Sequence, residues 1–184
     1  MPTVNKGRER TLQLVIMAMM VALIFIFSRF LGITTDVIHL GFDFLPVVLI
    51  GCLYGPVWAA VTYMVGDVIC AMLMPYGVIN PGLTVIAGLI GLVYGFAFYG
   101  RDFSGENGGK KLLLVTAIAS LIVAGVIKLF GTSVCLALMY GTPYWAMVVS
   151  RIPNCAFLFA VQMITIPLIY KFVYVPVSRR IITR

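Results

Sequence analysis

The sequence predicts an all-α integral membrane protein: six transmembrane helices in one domain spanning residues 1–184, with both termini in the cytoplasm. Three observations predict it. Of 184 residues, 62% are hydrophobic and only 10% charged, with a mean hydropathy of +1.09, whereas a soluble domain carries about a quarter charged residues to cover its surface. Apolar runs of the length that crosses a bilayer, about 20 residues, recur along the whole chain. Basic residues gather in alternate connections, as they do on the cytoplasmic side of membrane proteins.

The first span covers 12–27. Lys6, Arg8 and Arg10 ahead of it imitate a secretory signal, but the apolar stretch runs into Ser28-Arg29-Phe30 without a small-residue cleavage site, so it reads as a retained helix. Residues 44–73 are too long for one upright helix. Gly55-Pro56 interrupts them near the middle, a turn signal that divides the block into helices 44–55 and 57–73 joined as a hairpin. Spans at 83–99, 112–139 and 145–173 complete the six.

Topology accounts for most of the charge. The net charge of +7 comes from 13 Lys and Arg against 6 Asp and Glu. With the N-terminus inside, the cytoplasmic segments hold Lys6, Arg8, Arg10, Arg101, Lys110, Lys111, Lys171, Arg179, Arg180 and Arg184. The positive-inside rule explains these, and no basic patch with interleaved aromatics remains for a nucleic acid. Arg29, Lys128 and Arg151 are left over. Arg29 ends the first span at its outer side, Lys128 lies about 25 Å up an outward-going helix from Lys111, and Arg151 sits just inside the outer start of the last span. The outer connections are unusual too: 31–43 carries Asp36, His39 and Asp43, and 74–82 reads MPYGVINPG.

An intramembrane cation costs at least about 2.5 kcal/mol on insertion scales, so three at similar depth need a reason. Each could snorkel to the headgroups or pair internally; alternatively they line an outward-facing pocket for a small carboxylate-bearing molecule, which an Arg fork grips with two hydrogen bonds. Asp67, the other intramembrane charge, is either the counter-ion of Lys128 or Arg151, or an acceptor for the N–H groups of a ligand heterocycle. Phe42, Phe44, Tyr76, Tyr140, Tyr144 and Trp145 cluster at the outer side, where interfacial belt residues are expected and one or two could stack on a flat ring. Ala18-x-x-x-Ala22, Gly51-x-x-x-Gly55 and Ala87-x-x-x-Gly91-x-x-x-Gly95 strip side-chain bulk from one stripe of a helix, with internal packing as the first explanation. Cys52, Cys70, Cys135 and Cys155 are far apart in apolar runs and His39 is the one histidine, so no metal or cofactor site is expected. A phosphate loop, a G-x-S-x-G and an H-E-x-x-H are all absent, which argues against ATP hydrolysis by this chain and against an intramembrane enzyme. No repeat of one half in the other is visible, and the chain is small for a self-sufficient transporter, so a binding subunit that depends on other chains fits better.

The chain resembles the substrate-binding S components of energy-coupling factor (ECF) vitamin transporters, and among them the folate-specific group. The resemblance runs from about Leu12 to Val173 and rests on several segments in order. These are Ser28-Arg29-Phe30-Leu31, Leu40-Gly41-Phe42-Asp43-Phe44-Leu45-Pro46, Gly55-Pro56-Val57-Trp58 and Gly66-Asp67, then Asn80-Pro81-Gly82-Leu83-Thr84, Gly91-Leu92-Val93-Tyr94-Gly95, Leu138-Met139-Tyr140-Gly141-Thr142-Pro143 and Arg151. It implies a prokaryotic plasma-membrane subunit that captures a vitamin from outside under the first long loop. It also implies partners: a transmembrane coupling protein (T component) and two cytoplasmic ATPases, with Ala18 and Ala22 matching the family's docking motif on the first helix. On this reading Arg29, Lys128 and Arg151 face the carboxylates of folate, Asp67 and Asn80 face the heterocycle, and Tyr140 or Trp145 stacks on it. Pantothenate or another acidic vitamin is the alternative within the class, and a ligand-free structural membrane protein the alternative outside it.

Overall fold

The computed structural model describes residues 6–30, 33–34, 39–73, 80–101, 103, 108–141 and 143–174. Asp36, Tyr76 and the three arginines Arg179, Arg180 and Arg184 lie outside the described residues, as do the side chains of His39 and Tyr140.

The architecture is helical, as expected. The first helix, α1, is Lys6–Arg29, followed by α2 (Phe44–Tyr54), α3 (Pro56–Leu73), α4 (Pro81–Phe98), α5 (Gly108–Leu121), α6 (Ser133–Tyr140) and α7 (Tyr144–Ile169). A π-helical stretch, Ile122–Thr132, joins α5 to α6 without a break, and another, Tyr170–Tyr174, continues α7. Among the described residues, five stretches are long and apolar enough to cross a membrane: Arg10–Arg29, Pro56–Leu73, Pro81–Phe98, Gly108–Leu138 and Tyr144–Phe172. The sixth helix is different. At 11 residues α2 reaches only about 16 Å, roughly half of a 30 Å hydrocarbon layer. Its lower end is fixed by the turn at Gly55, whose φ of 93° suits a residue without Cβ, so its upper end at Asp43 lies near mid-membrane. Two short strands lie between α1 and α2. Ile33–Thr34 (β1) pairs antiparallel with His39–Leu40 (β2), Ile33 opposite Leu40, and β2 meets α7.

Glycines set the closest helix contacts. A Cβ on Gly91 would lie 2.7 Å from both the Ala59 oxygen and the Ala60 Cα, and one on Gly95 would lie 2.2 Å from the Pro56 Cα. A Cβ on Gly51 of α2 would lie 3.1 Å from the Gly95 Cα and N. The Gly51 and Gly91/Gly95 stripes therefore bind α2, α3 and α4 into one tight layer, with Phe44, Val47, Ile50, Tyr94 and Phe98 fully buried. The other half is polar inside: Thr116 and Ser120 on α5 and Gln162 on the adjoining α7 are fully buried, with no hydrogen-bond partner among the described residues. In α1, by contrast, Met17 and Ile24 are buried while Ala18 and Ala22 are exposed.

Candidate functional site

The polar groups of the outer half fall into two sets. The first sits where α1, α2, α3 and α4 meet. A Cβ on Gly66 would lie 2.9 Å from the Ile24 side chain, so its absence lets α1 run close beside α3 in the same direction. Five residues above Ile24, Arg29 comes level with the end of α3 and donates to the Cys70 carbonyl at 2.8 Å. That carbonyl is one of the last four of the helix, which have no intrahelical donor, and a cation there also suits the helix dipole. Asp67 lies eleven residues up α3 from Pro56, about 16 Å, at the height where α2 begins. Its Oδ2 accepts from the Thr84 hydroxyl at 2.8 Å, and Arg29 and Asp43 both act on it electrostatically.

Asp43 belongs to this set, although sequence places it in an outer connection. Because α2 is short, the residue before it lies deep in the bundle, where the Tyr63 hydroxyl donates to its Oδ2. Tyr63 and Asp67 are four residues apart on α3 and share a face. Tyr94 adds a fully buried hydroxyl without a hydrogen-bond partner among the described residues, electrostatically coupled to Asp43. Two carboxylates, two tyrosines and a threonine thus form a polar floor at mid-depth, with Arg29 near its rim. Asn80 lies above it as the N-cap of α4, its Oδ1 accepting from the Gly82 N–H at 2.8 Å and its Nδ2 donating to the Cys135 carbonyl at 3.4 Å. With Pro81 in the first helical turn this is helix-start chemistry, and it occupies most of the amide.

The second set is cationic. Lys128, in the π-helical stretch, and Arg151, seven residues into α7, both lie within electrostatic reach of Cys155 on α7. Both are partly buried, and no carboxylate among the described residues pairs with either. The structure thus divides the residues expected from sequence: Arg29 and Asp67 belong to one set, Lys128 and Arg151 both neighbour Cys155, and Asn80 caps α4. Trp145 is 71% exposed and rests edge-on against Tyr144, ring centroids 5.6 Å apart, on the outside of the helix end. Sequence reasoning missed Asp43 as an intramembrane group, along with Tyr63, Thr84 and Tyr94. A tyrosine four residues before an intramembrane Asp, Tyr63-x-x-x-Asp67, was the available signal for one of them.

Residues 8–174 match the family model described as ECF-type riboflavin transporter, S component. The chain is 31% identical over 153 residues to the folate transporter FolT of Clostridium novyi, covering 83% of this chain and 84% of that one. It is 29% identical over 135 residues to the folate transporter FolT of Streptococcus mutans, covering 73% and 72%. Among solved structures it is similar to a crystal structure of FolT bound with folic acid, with a TM-score of 0.72 and 30% identity, covering 83% of this chain and 88% of that one.

Proposed function

The chain belongs to the S components of ECF-type transporters, the substrate-binding membrane subunits that work with T-component and ATPase partners, and from this premise we propose that its substrate is folate, captured from outside. The observation that carries the reading is the placing of Lys128 and Arg151, two partly buried cations that are both within electrostatic reach of Cys155 and have no carboxylate partner among the described residues. Such a pair suits an anionic ligand. Riboflavin, named in the description of the matching family model, has no carboxylate, whereas folate carries two on its glutamate tail. The tail would lie on Lys128 and Arg151, and the pterin would reach the floor, where Asp67 can accept two N–H bonds side by side. Arg29, which acts on Asp67, would meet the carboxylates from the rim, and Asn80 would face the heterocycle; Tyr140 remains the proposed stacking ring, while the outward exposure of Trp145 supports a place in the lipid interface.

Purified protein titrated with folate, riboflavin, pantothenate and biotin, followed by intrinsic tryptophan quenching, tests this. Saturable quenching by folate at micromolar or lower concentration is expected. No response to folate, or a stronger response to riboflavin, overturns it.

We further infer that Ala18 and Ala22 form the contact face toward the T component, in a complex completed by two ATPases. Both alanines are exposed on a helix that buries little of itself in its own bundle. Ala18→Trp should leave folate quenching unchanged and abolish uptake by the reconstituted transporter. Retained uptake would remove this face from the interface.

A further inference from the structure

The cytoplasmic end of the bundle holds a cavity that the outer site does not use. Its volume is about 420 Å³, and it is lined by Arg101, Phe103, Lys110, Lys111, Leu114 and Val115. Arg101 follows the end of α4, and Lys110 and Lys111 lie in the first turn of α5, so three cations meet at the inner border of the membrane. The site is anchored from below. Phe103 packs edge-to-face on Tyr170 with ring centroids 5.2 Å apart, and the Tyr170 hydroxyl donates to the Arg101 carbonyl at 3.3 Å. Leu114, 61% exposed, and its neighbour Leu113 belong to the lipid-facing side of α5, so the cavity opens toward the bilayer.

What fills it must satisfy both halves of the lining. A soluble anion would leave Phe103, Leu114 and Val115 uncovered, and an apolar molecule would leave three cations without a counter-charge among the described residues. No ion pair to these cations is formed among the described residues; the acidic Asp102 and Glu106 of the same connection lie outside them. The cavity also opens onto a phase in which lipid is the most concentrated solute, and clusters of Lys and Arg at the cytoplasmic border of spans attract anionic headgroups.

We propose that this cavity binds one anionic glycerophospholipid of the inner leaflet. Arg101, Lys110 and Lys111 hold the phosphodiester, with the Arg fork able to make two parallel bonds to it. The glycerol and the start of an acyl chain lie on Phe103, Leu114 and Val115. The bound lipid ties the first turn of α5 to the connection that follows α4.

The test uses the full chain in detergent, titrated separately with phosphatidylglycerol, phosphatidylcholine and glycerol phosphate, with lipid retention read by native mass spectrometry and stabilisation by thermal unfolding. One phosphatidylglycerol per chain should be retained and should raise the unfolding temperature. The triple substitution Arg101→Gln, Lys110→Gln and Lys111→Gln should weaken retention at least tenfold while leaving folate quenching unchanged, which reports an intact fold. The charge-preserving set Arg101→Lys, Lys110→Arg and Lys111→Arg should restore retention. Equal retention of phosphatidylcholine overturns the proposal, as does retention that the triple substitution does not change. Full stabilisation by glycerol phosphate would make the site one for a soluble phosphate, and loss of T-component binding without any lipid retention would make it a protein interface; either also overturns it.

Discussion

Arg151→Ala is expected to lower folate affinity roughly 10- to 150-fold, and at the same time to leave the ligand-free protein as stable as before or more stable. The first effect follows from losing charge-assisted hydrogen bonds to a carboxylate, about 1.5–3 kcal/mol. The second follows from the company Arg151 keeps: it is partly buried, and no carboxylate among the described residues pairs with it. A charge held in a partly buried place without a counter-ion is costly, so removing it relieves the empty site. A residue that merely held the fold together would behave in the opposite way. Quenching titrations give the affinity, thermal unfolding without ligand gives the stability, and pull-down of the partner subunits shows whether assembly survives. Unchanged affinity with a less stable apo protein would take Arg151 out of the site and make it a structural cation.

Gly95→Leu is expected to prevent recovery of a monodisperse protein. A Cβ at this position meets the backbone of Pro56, at 2.2 Å from Cα and 2.7 Å from N, and a Cβ on Gly51 would in turn lie 3.1 Å from the Gly95 backbone. None of these neighbours is the far end of a flexible side chain. The substitution must therefore push the whole α2–α3 turn away from α4, at a cost at or beyond the upper end of the 1–3 kcal/mol typical of overpacking. That turn also sets the height of Asp43, so any protein recovered should have lost folate quenching. Gly125→Ala is the control. Nothing lies within 4 Å of a Cβ there, and it should be neutral or stabilise by up to about 1 kcal/mol. Size-exclusion profiles and thermal unfolding decide it; a Gly95→Leu protein as stable as the Gly125→Ala one would show that α3 and α4 are not held at contact distance.

The helical fold and the outer cations were legible because each depends on a local property. A run of apolar residues must be a helix in lipid, and a lone Arg or Lys in such a run is visible by its cost. The division at Gly55-Pro56 was legible for the same reason. What stayed hidden depends on depth. Asp43 reads as a loop residue because nothing local says that α2 begins halfway down; only the packing of Gly51 on Gly95, tied to the position of the turn, sets that height. The grouping of the charges was hidden too. Lys128 and Arg151 are on different helices, as are Arg29 and Asp67, and which cation stands beside Asp67 is decided by the Gly66–Ile24 contact. The capping place of Asn80 was within reach of sequence reasoning, since Asn-Pro-Gly is a helix-start pattern.

The half-length of α2 has an electrical consequence. A charge moved across the full membrane potential gains or loses about 2.3 kcal/mol per 100 mV, so a carboxylate carried to the floor beside Asp43 would pay about half of that against an interior-negative potential. On the proposed reading the divalent tail stops at Lys128 and Arg151, where Arg151 is only about 10 Å below the outer end of α7. The uncharged ring goes to the floor. Most of the voltage then falls below the ligand's charges, and capture from outside depends little on how strongly the cell membrane is energised.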